Sequence, residues 1–205
     1  MPKRPVRRLL ARALLAITGW KPDGVRPEPK LFVLIAAPHT TNWDFVYLIA
    51  FAAYFEVEIS WMGKASLFRR PFGGFMRALG GVPVQRRKRE NLVDAMAKAF
   101  SDRQELGLVV SAEGTRDYVE YWKSGFYHIA VSARVPIVMS YLDYSTKRGG
   151  FGPAFHPTGN LSQDMDAVRA FYEGRKGKFP ELFGRIRLLE EDAGILETEP
   201  QAAQS

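Results

Sequence analysis

The chain has 205 residues, of which 46% are hydrophobic, and this composition suits one globular domain with a substantial core. It contains no cysteine, which excludes disulfide bonds, thiolate metal sites and cysteine nucleophiles. A net charge of +7 leaves two classes of anionic partner open, nucleic acid and the surface of a membrane.

The beginning of the chain combines arginines with a helical pattern. Residues 1–30 hold eight Lys/Arg and two acidic residues, which gives this end a balance of +6. Apolar side chains recur there at helical spacing, at Leu9, Leu10, Ala13, Ile17 and Trp20. The run is too short to span a bilayer, which requires roughly 20 apolar residues. Residues 1–22 are therefore predicted to form a basic amphipathic helix that either lies in a membrane interface or packs on the domain.

Apolar runs alternate with helical patterns through the rest of the chain. The predicted strands cover residues 31–37, 57–63, 80–86, 106–114, 135–143 and 149–157. The predicted helices cover residues 42–55, 91–100, 124–133 and 162–174, the last with Ser162 as its N-cap. Because the strands are nearly continuous in apolar residues, we expect an α/β fold in which a mostly buried sheet is flanked by helices.

This alternation predicts a single domain at residues 23–188. An acidic tail follows at residues 189–205, where five acidic residues occur without a basic one. Such a polar segment cannot bury enough apolar surface to fold, so we expect it to be disordered.

Residues 38–45, PHTTNWDF, follow the first predicted strand and have two interpretations. Thr41 and Asp44 fit a capping box at the start of a helix. Alternatively, Asp44 in the first helical turn reaches back to His39. A carboxylate at Nδ1–H would fix the tautomer of the imidazole and leave Nε2 able to accept a proton. No cysteine and no G-x-S-x-G motif supplies a nucleophile, so such a base would deprotonate a substrate hydroxyl directly.

Charged side chains follow other predicted strands. His39, Arg86, Glu113 and Arg116 all lie just after one, and functional groups of α/β folds gather at such strand ends. The sequence therefore predicts one pocket that contains a base, a carboxylate and several cations.

Each group of cations also has a structural interpretation. The turn at residues 111–117, SAEGTRD, is either a solvated polar turn or one whose backbone amides and Arg116 receive an anion. Residues 86–89 could be a solvated helix start. We predict that Lys64 and Arg86 are anion ligands and that residues 87–89 contact solvent or a membrane.

His128 and His156 lack metal-ligand spacing, so no metal site is predicted.

Four motifs occur in order between about residues 31 and 142. The first is the histidine and aspartate pair, His39 and Asp44, with four residues between them. The third is Glu-Gly-Thr-Arg at residues 113–116, although Ser111 and Ala112 stand where Phe-Pro is usual. The fourth is the apolar strand with a proline at residues 135–138. The second consists of Gly63-Lys64, Leu67-Phe68, Pro71, Gly80 and Val82-Pro83-Val84-Gln85-Arg86, with Gln85 where aspartate is common. Because all four motifs follow one another along the chain, from the first to the fourth, the sequence resembles the glycerolipid acyltransferases, whose best-known members convert lysophosphatidic acid to phosphatidic acid.

The resemblance implies an O-acyltransferase of the α/β class that needs no cofactor. His39 would take the proton of an acceptor hydroxyl, and Asp44 would orient His39. The hydroxyl would attack the thioester of an acyl-CoA or acyl carrier protein. The acceptor that the resemblance favours is lysophosphatidic acid. The residues that would hold the phosphate end of the acceptor are Lys64, Arg86, Glu113, Gly114, Thr115 and Arg116. Both lipids reside in membranes, so residues 1–20 would contact the cytoplasmic face of a membrane, where the protein is peripheral.

Other functions are compatible with parts of the same sequence. The acceptor could be a different lysolipid, an aminoacyl lipid of the ornithine type or a glycolipid. A hydrolase could use the same pair of residues on water. A non-enzymatic protein that binds nucleic acid would explain the charge, although the sequence lacks recognition motifs for it.

Overall fold

The computed structural model describes residues 5–84 and 90–192 of the chain. The strands in these two segments are β1 (Lys21–Gly24), β2 (Leu31–Ala36), β3 (Ile59–Lys64), β4 (Gly81–Val84), β5 (Leu106–Val110), β6 (Ile137–Asp143) and β7 (Arg148–Phe155). The α-helices are α1 (Pro5–Thr18), α2 (Trp43–Tyr54), α3 (Gly73–Ala78), α4 (Glu90–Ser101), α5 (Gly125–Ala133), α6 (Leu161–Tyr172) and α7 (Leu189–Asp192). Short 3-10 helices occupy Ala65–Phe68 and Pro180–Leu182.

The strands form one sheet in the order β1-β7-β6-β2-β5-β3-β4. The central strand β2 pairs in parallel with β5 and β6, and β3 pairs in parallel with β5 and β4. The β6–β7 pair is antiparallel, and β1 lies parallel to β7 at the edge. The strands β2, β3, β5 and β6 therefore have their carboxyl ends on the same side of the sheet, and the loops that follow these strands meet there.

Strand β2 shows why the sheet is buried on both faces. Val33 and Ile35 point into a core built with α4, α5 and α6. Phe32 and Leu34 point to the opposite face, where they pack with Ala52 of α2. Alternate side chains of a strand face opposite sides, so an uninterrupted apolar strand requires helices on both. The predicted α/β fold with a buried sheet is confirmed.

Helix α1 lies on the outer side of α2. Ala11 and Leu15 are buried against it, while Leu9, Leu10 and Ile17 are exposed. The helix ends at Gly19, whose φ of +76° favours glycine. The helix predicted at this end of the chain is therefore present, and it packs on the domain through one face. None of the described helices has the length and apolarity that crossing a bilayer requires.

Strand β1 and the start of α6 are among the features that differ from the sequence prediction. Strand β1 was not predicted, since Lys21–Gly24 lacks an apolar run, and a proline and a glycine are tolerated there because the strand is at the sheet edge. The N-cap of α6 is Asn160 and not Ser162. The side-chain oxygen of Asn160 accepts the N–H of Gln163 at 3.1 Å, which places Ser162 inside the helix.

The predicted disordered tail begins too early. Leu189–Asp192 form the short helix α7, and all three of its acids have partners in the folded domain. Glu191 lies 2.8 Å from the guanidinium of Arg169, and Asp192 lies 2.5 Å from that of Arg187. Residues 193–205 lie outside the described residues.

Candidate active site

His39 and Asp44 meet at the carboxyl end of β2. His39 follows the strand by three residues, and Asp44 is in the first turn of α2. The imidazole Nδ1 lies 3.3 Å from Asp44 Oδ2, and the two side chains are 26% and 6% exposed. With Nδ1 turned toward the carboxyl, Nε2 is on the opposite side of a ring that lines a cavity. This is the arrangement expected of a histidine base oriented by a carboxylate.

The Asp44 carboxyl also accepts hydrogen bonds from backbone N–H groups just before α2. Its Oδ2 accepts the backbone N–H groups of Thr40 and Thr41 at 2.8 and 2.9 Å. The N-cap position itself belongs to Asn42, whose side chain makes no capping bond. Thr41 Oγ1 accepts from the N–H of Trp43 at 3.4 Å. The carboxylate half of a capping box and the histidine contact are therefore made by the same side chain.

The Tyr144 hydroxyl holds the other oxygen of Asp44. It donates to Oδ1 at 2.6 Å from the turn after β6. Three donors thus surround one buried carboxyl and stabilise its charge. Tyr144 is absent from the four motifs, and the signal that could have found it is its position directly after a strand at this same sheet edge.

Glu113 contacts the backbone of His39. It follows β5, is 1% exposed, and its Oε2 accepts the backbone N–H of His39 at 2.8 Å. Burial, with a smaller effect of the Asp44 charge, raises the pKa of Glu113 to about 8 although the bond from His39 lowers it. The residue does not line the described cavity. The buried carboxyl therefore fixes the His39 backbone, and the role of Glu113 in holding phosphate stays a prediction.

The rest of the Glu-Gly-Thr-Arg turn does line the cavity. Gly114 has a φ of +72°, which suits glycine in the turn. Thr115 Oγ1 donates to Asp117 Oδ2 at 3.3 Å. The exposed Arg116 guanidinium donates to Asn42 Oδ1. Asn42 was not predicted, and its contact ties the arginine turn to the start of α2.

Two further predicted anion ligands are Lys64 and Arg86. Lys64 is the last residue of β3 and pairs in register with Val84, so its backbone lies at the same sheet edge as His39. Arg86 and residues 87–89 lie outside the described residues. The roles of Lys64 and Arg86 stay predictions.

A cavity of about 650 Å³ runs beneath α2 past the His39–Asp44 pair. Its apolar wall consists of Phe45, Leu48, Phe51, Trp61, Met62, Leu67, Met76, Val109, Leu142 and Phe151. Because these residues reach from β3 to β7, the cavity crosses the strands, with the polar loops at its rim. Such a shape suits a ligand with a long apolar part and a polar end.

One hydroxyl at this cavity was not singled out as a ligand by the sequence. Ser111 lines the cavity, and the alternation of β5 places it on the same face as Val109. Its Oγ and Glu113 Oε1 are buried, and neither has a hydrogen-bond partner among the residues that the structure describes. A buried polar group without a partner is costly, so a ligand that satisfies the Ser111 hydroxyl would gain affinity.

Comparisons with known proteins identify the family of the chain and a similar fold. The model of the Acyltransferase family matches residues 25–142, which is more than half of the chain. A comparison with curated proteins finds no match. The fold is similar to the crystal structure of PlsC, the 1-acyl-sn-glycerophosphate (LPA) acyltransferase from Thermotoga maritima. The two are 16% identical with a TM-score of 0.56, over 82% of this chain and 74% of that one. The family predicted from the four motifs is thus confirmed: the chain belongs to the Acyltransferase family and is an O-acyltransferase.

Proposed function

We propose that the protein transfers a fatty acyl group from an acyl thioester to the free hydroxyl of lysophosphatidic acid, which yields phosphatidic acid. The observation that carries this proposal is the 3.3 Å approach of His39 Nδ1 to Asp44 at the rim of an apolar cavity. The donor is acyl-CoA or acyl carrier protein, and no further cofactor takes part.

The reaction needs one base and proceeds without an acyl-enzyme. Nε2 of His39 accepts the hydroxyl proton as the oxygen attacks the thioester carbonyl carbon. The carbon–sulfur bond of the tetrahedral intermediate then breaks, and the imidazolium returns the proton to the departing thiolate. Asp44 stabilises the imidazolium between these steps. General base catalysis of this kind contributes typically about 10²- to 10⁴-fold.

The phosphate end of the acceptor binds at the turn after β5. Arg116 offers a planar guanidinium that matches phosphate oxygens, and Asn42 already fixes its position. Lys64 and Arg86 follow neighbouring strands and supply further positive charge under this proposal. The acyl chain lies in the cavity beneath α2, where the wall is apolar.

We also propose that the protein is peripheral and binds the cytoplasmic face of a membrane through α1. Leu9, Leu10 and Ile17 are 67%, 64% and 85% exposed on this helix, which also carries three arginines. Apolar side chains and arginines on one exposed helix match a bilayer interface with anionic lipids.

An assay of thiol release tests the proposed reaction. The protein with acyl-CoA and lysophosphatidic acid should release CoA only when both substrates are present. His39→Gln should reduce the rate at least about 10²-fold, and Asp44→Asn should also reduce it. His128→Gln, an exposed histidine away from the cavity, is the matched control and should keep full activity. Full activity in His39→Gln would refute the mechanism, and release of free fatty acid without acceptor would indicate a hydrolase.

A different lipid acceptor is the second candidate, and Ser111 favours it. Ser111 stands in the cavity wall where the motif usually has phenylalanine, and its buried hydroxyl has no partner among the described residues. Values of kcat/KM for lysophosphatidic acid, other lysolipids, an aminoacyl lipid and a glycolipid would separate the candidates. A clear preference for an acceptor without a phosphate would replace lysophosphatidic acid in the proposal.

A further inference from the structure

The two oxygens of Asp44 have different tasks. Oδ2 accepts the Thr40 and Thr41 amides and faces His39 Nδ1. Oδ1 accepts from the Tyr144 hydroxyl at 2.6 Å. The terminal torsion of an aspartate side chain is broad, so local bonds to Oδ2 alone do not fix the plane of the carboxyl. The bond from Tyr144, which follows β6, to Oδ1 does fix this plane.

We propose that Tyr144 is a positioning residue, whose hydroxyl holds the Asp44 carboxyl in the plane that faces His39. This inference rests on the proposed function of the pair. Tyr144 is not among the residues that line the described cavity, so it acts through Asp44 and does not contact substrate.

Packing fixes the Tyr144 ring, and with it the hydroxyl. The ring meets Trp20 edge-on, with centroids 4.9 Å apart at 86°, and it meets Tyr47 at 6.3 Å and 78°. Trp20 is 4% exposed and belongs to the segment directly after α1. A donor carried by an aromatic ring that is packed against two neighbouring rings loses little rotational freedom when it bonds.

The backbone around Tyr144 is fixed as well. Its N–H donates to the carbonyl of Lys176 at 2.9 Å. The preceding Asp143 accepts from the Ser145 hydroxyl at 2.7 Å and from the Thr146 hydroxyl at 2.5 Å, which closes the turn between β6 and β7. A tight turn thus presents the hydroxyl to Asp44 from a rigid support.

The hydroxyl stays a donor over the whole working range of pH. Burial, and next the bond to the Asp44 carboxylate, raise the pKa of Tyr144 above its usual value. The proton therefore remains on the phenol oxygen, which can donate to Asp44 whenever that carboxyl is ionised.

Tyr144→Phe tests the proposal, because it removes the hydroxyl and keeps the ring against Trp20. We expect kcat to fall about tenfold, as for a lost hydrogen bond to a charged group, while KM for both substrates changes less than about twofold. Tyr47→Phe is the matched control, since its ring lies in the same aromatic cluster and its hydroxyl bonds to no other described residue. It should keep the activity of the wild type. Unchanged kcat in Tyr144→Phe would overturn the proposal.

A double-mutant cycle tests whether the effect passes through Asp44. In an Asp44→Asn background, Tyr144→Phe should cause no further loss of kcat. A full additional loss there would show that Tyr144 acts by another route and would overturn the proposal.

A spectroscopic measurement separates this proposal from the acyltransferase proposal. A proton on His39 Nδ1 that faces a carboxylate gives a low-field NMR resonance, which His39→Gln assigns. This resonance should move upfield or disappear in Tyr144→Phe and persist in Tyr47→Phe. An unchanged resonance refutes the positioning role, whether or not thiol release is observed. If Tyr144→Phe does not fold, Tyr144→Met fills the same apolar contacts without a hydroxyl and takes its place.

Discussion

The Glu113 carboxyl accepts the backbone N–H of His39 at 2.8 Å, although the two residues are 74 positions apart. The acid therefore bonds to the main chain of His39 and leaves the imidazole to Asp44. A neutral carboxyl can also accept this bond, although less strongly than an ionised one, and burial favours the neutral form. This arrangement has a consequence for stability.

Glu113 should make the free energy of unfolding depend on pH. Folding raises the pKa of Glu113 from 4.5 to about 8, so the folded state binds its proton more tightly than the unfolded state does. The resulting stabilisation is complete below about pH 4.5 and is lost as the pH rises through 8, on the order of a few kcal/mol. Urea unfolding between pH 5 and 9 measures this slope.

Glu113→Gln separates this effect from other titrating groups. Glutamine keeps the acceptor for the His39 amide and cannot ionise, so the variant should show a flatter profile than the wild type over the same pH range. Glu120→Gln removes an exposed acid and should leave the slope unchanged. Equal slopes in wild type and Glu113→Gln would contradict a raised pKa of Glu113.

Arg116 should determine affinity for an anionic acceptor. Arg116→Ala removes a charge-assisted contact worth about 1.5–3 kcal/mol, so kcat/KM for lysophosphatidic acid should fall about 10- to 100-fold. Arg116→Lys keeps the charge without the planar fork and should recover only part of the loss. Arg103→Ala is the control and should behave as wild type, because Arg103 lies in the loop before β5, at the amino ends of the parallel strands. An unaffected kcat/KM in Arg116→Ala would remove Arg116 from the binding site.

Narrowing the cavity should shorten the preferred acyl chain. Met76 lines the cavity on the side of β3, and Met76→Trp places a larger ring there. Loss of space for two or so methylene groups, at about 0.8 kcal/mol each, should lower kcat/KM for palmitoyl-CoA about tenfold relative to octanoyl-CoA. Competition between the two donors measures this ratio. Met76→Leu, which conserves volume, should leave the ratio unchanged, and an unchanged ratio in Met76→Trp would place the acyl chain elsewhere.

Exposed apolar residues of α1 should carry membrane binding. Leu10 and Ile17 are 64% and 85% exposed, so Leu10→Glu with Ile17→Glu should preserve the thermal midpoint of unfolding. Binding to vesicles that contain phosphatidylglycerol should fall at least about tenfold, since each apolar side chain contributes roughly 1.5–3 kcal/mol when buried. Sedimentation with the vesicles measures it. Val131→Glu tests an exposed residue of α5 and should bind as wild type does, whereas equal binding by the α1 variant would exclude this face.

The parts of the site that are near in sequence could be predicted, and the parts that depend on burial could not. His39 and Asp44 are five positions apart, so strand and helix patterns alone bring them together. The position of Glu113 after a strand predicted that it belongs to the pocket, and the family resemblance implied a phosphate role, but its 1% exposure could not be read from the sequence. Tyr144 was missed since its partner is one hundred positions away and the turn that presents it has no motif.

The same distinction applies to the fold. The strands with apolar runs were predicted because hydrophobic periodicity records burial on both faces of the sheet. Strand β1 has no such run, and its pairing with Arg148–Phe155 arises from the sheet edge that β7 leaves open. The N-cap of α6 depended on a choice between two polar residues, Asn160 and Ser162, which geometry alone decides.

The Asp44–Tyr144 and His39–Glu113 contacts also link chemistry to the way the chain folds. They join the segment after β2 to the segments that follow β6 and β5, so His39 and Asp44 make these contacts only when the three central strands have paired. Contacts of such high sequence separation form late, after the entropy of closing long loops has been overcome. Acyl transfer should therefore return, on refolding, in step with the sheet as a whole and not with the local segment that contains His39 and Asp44.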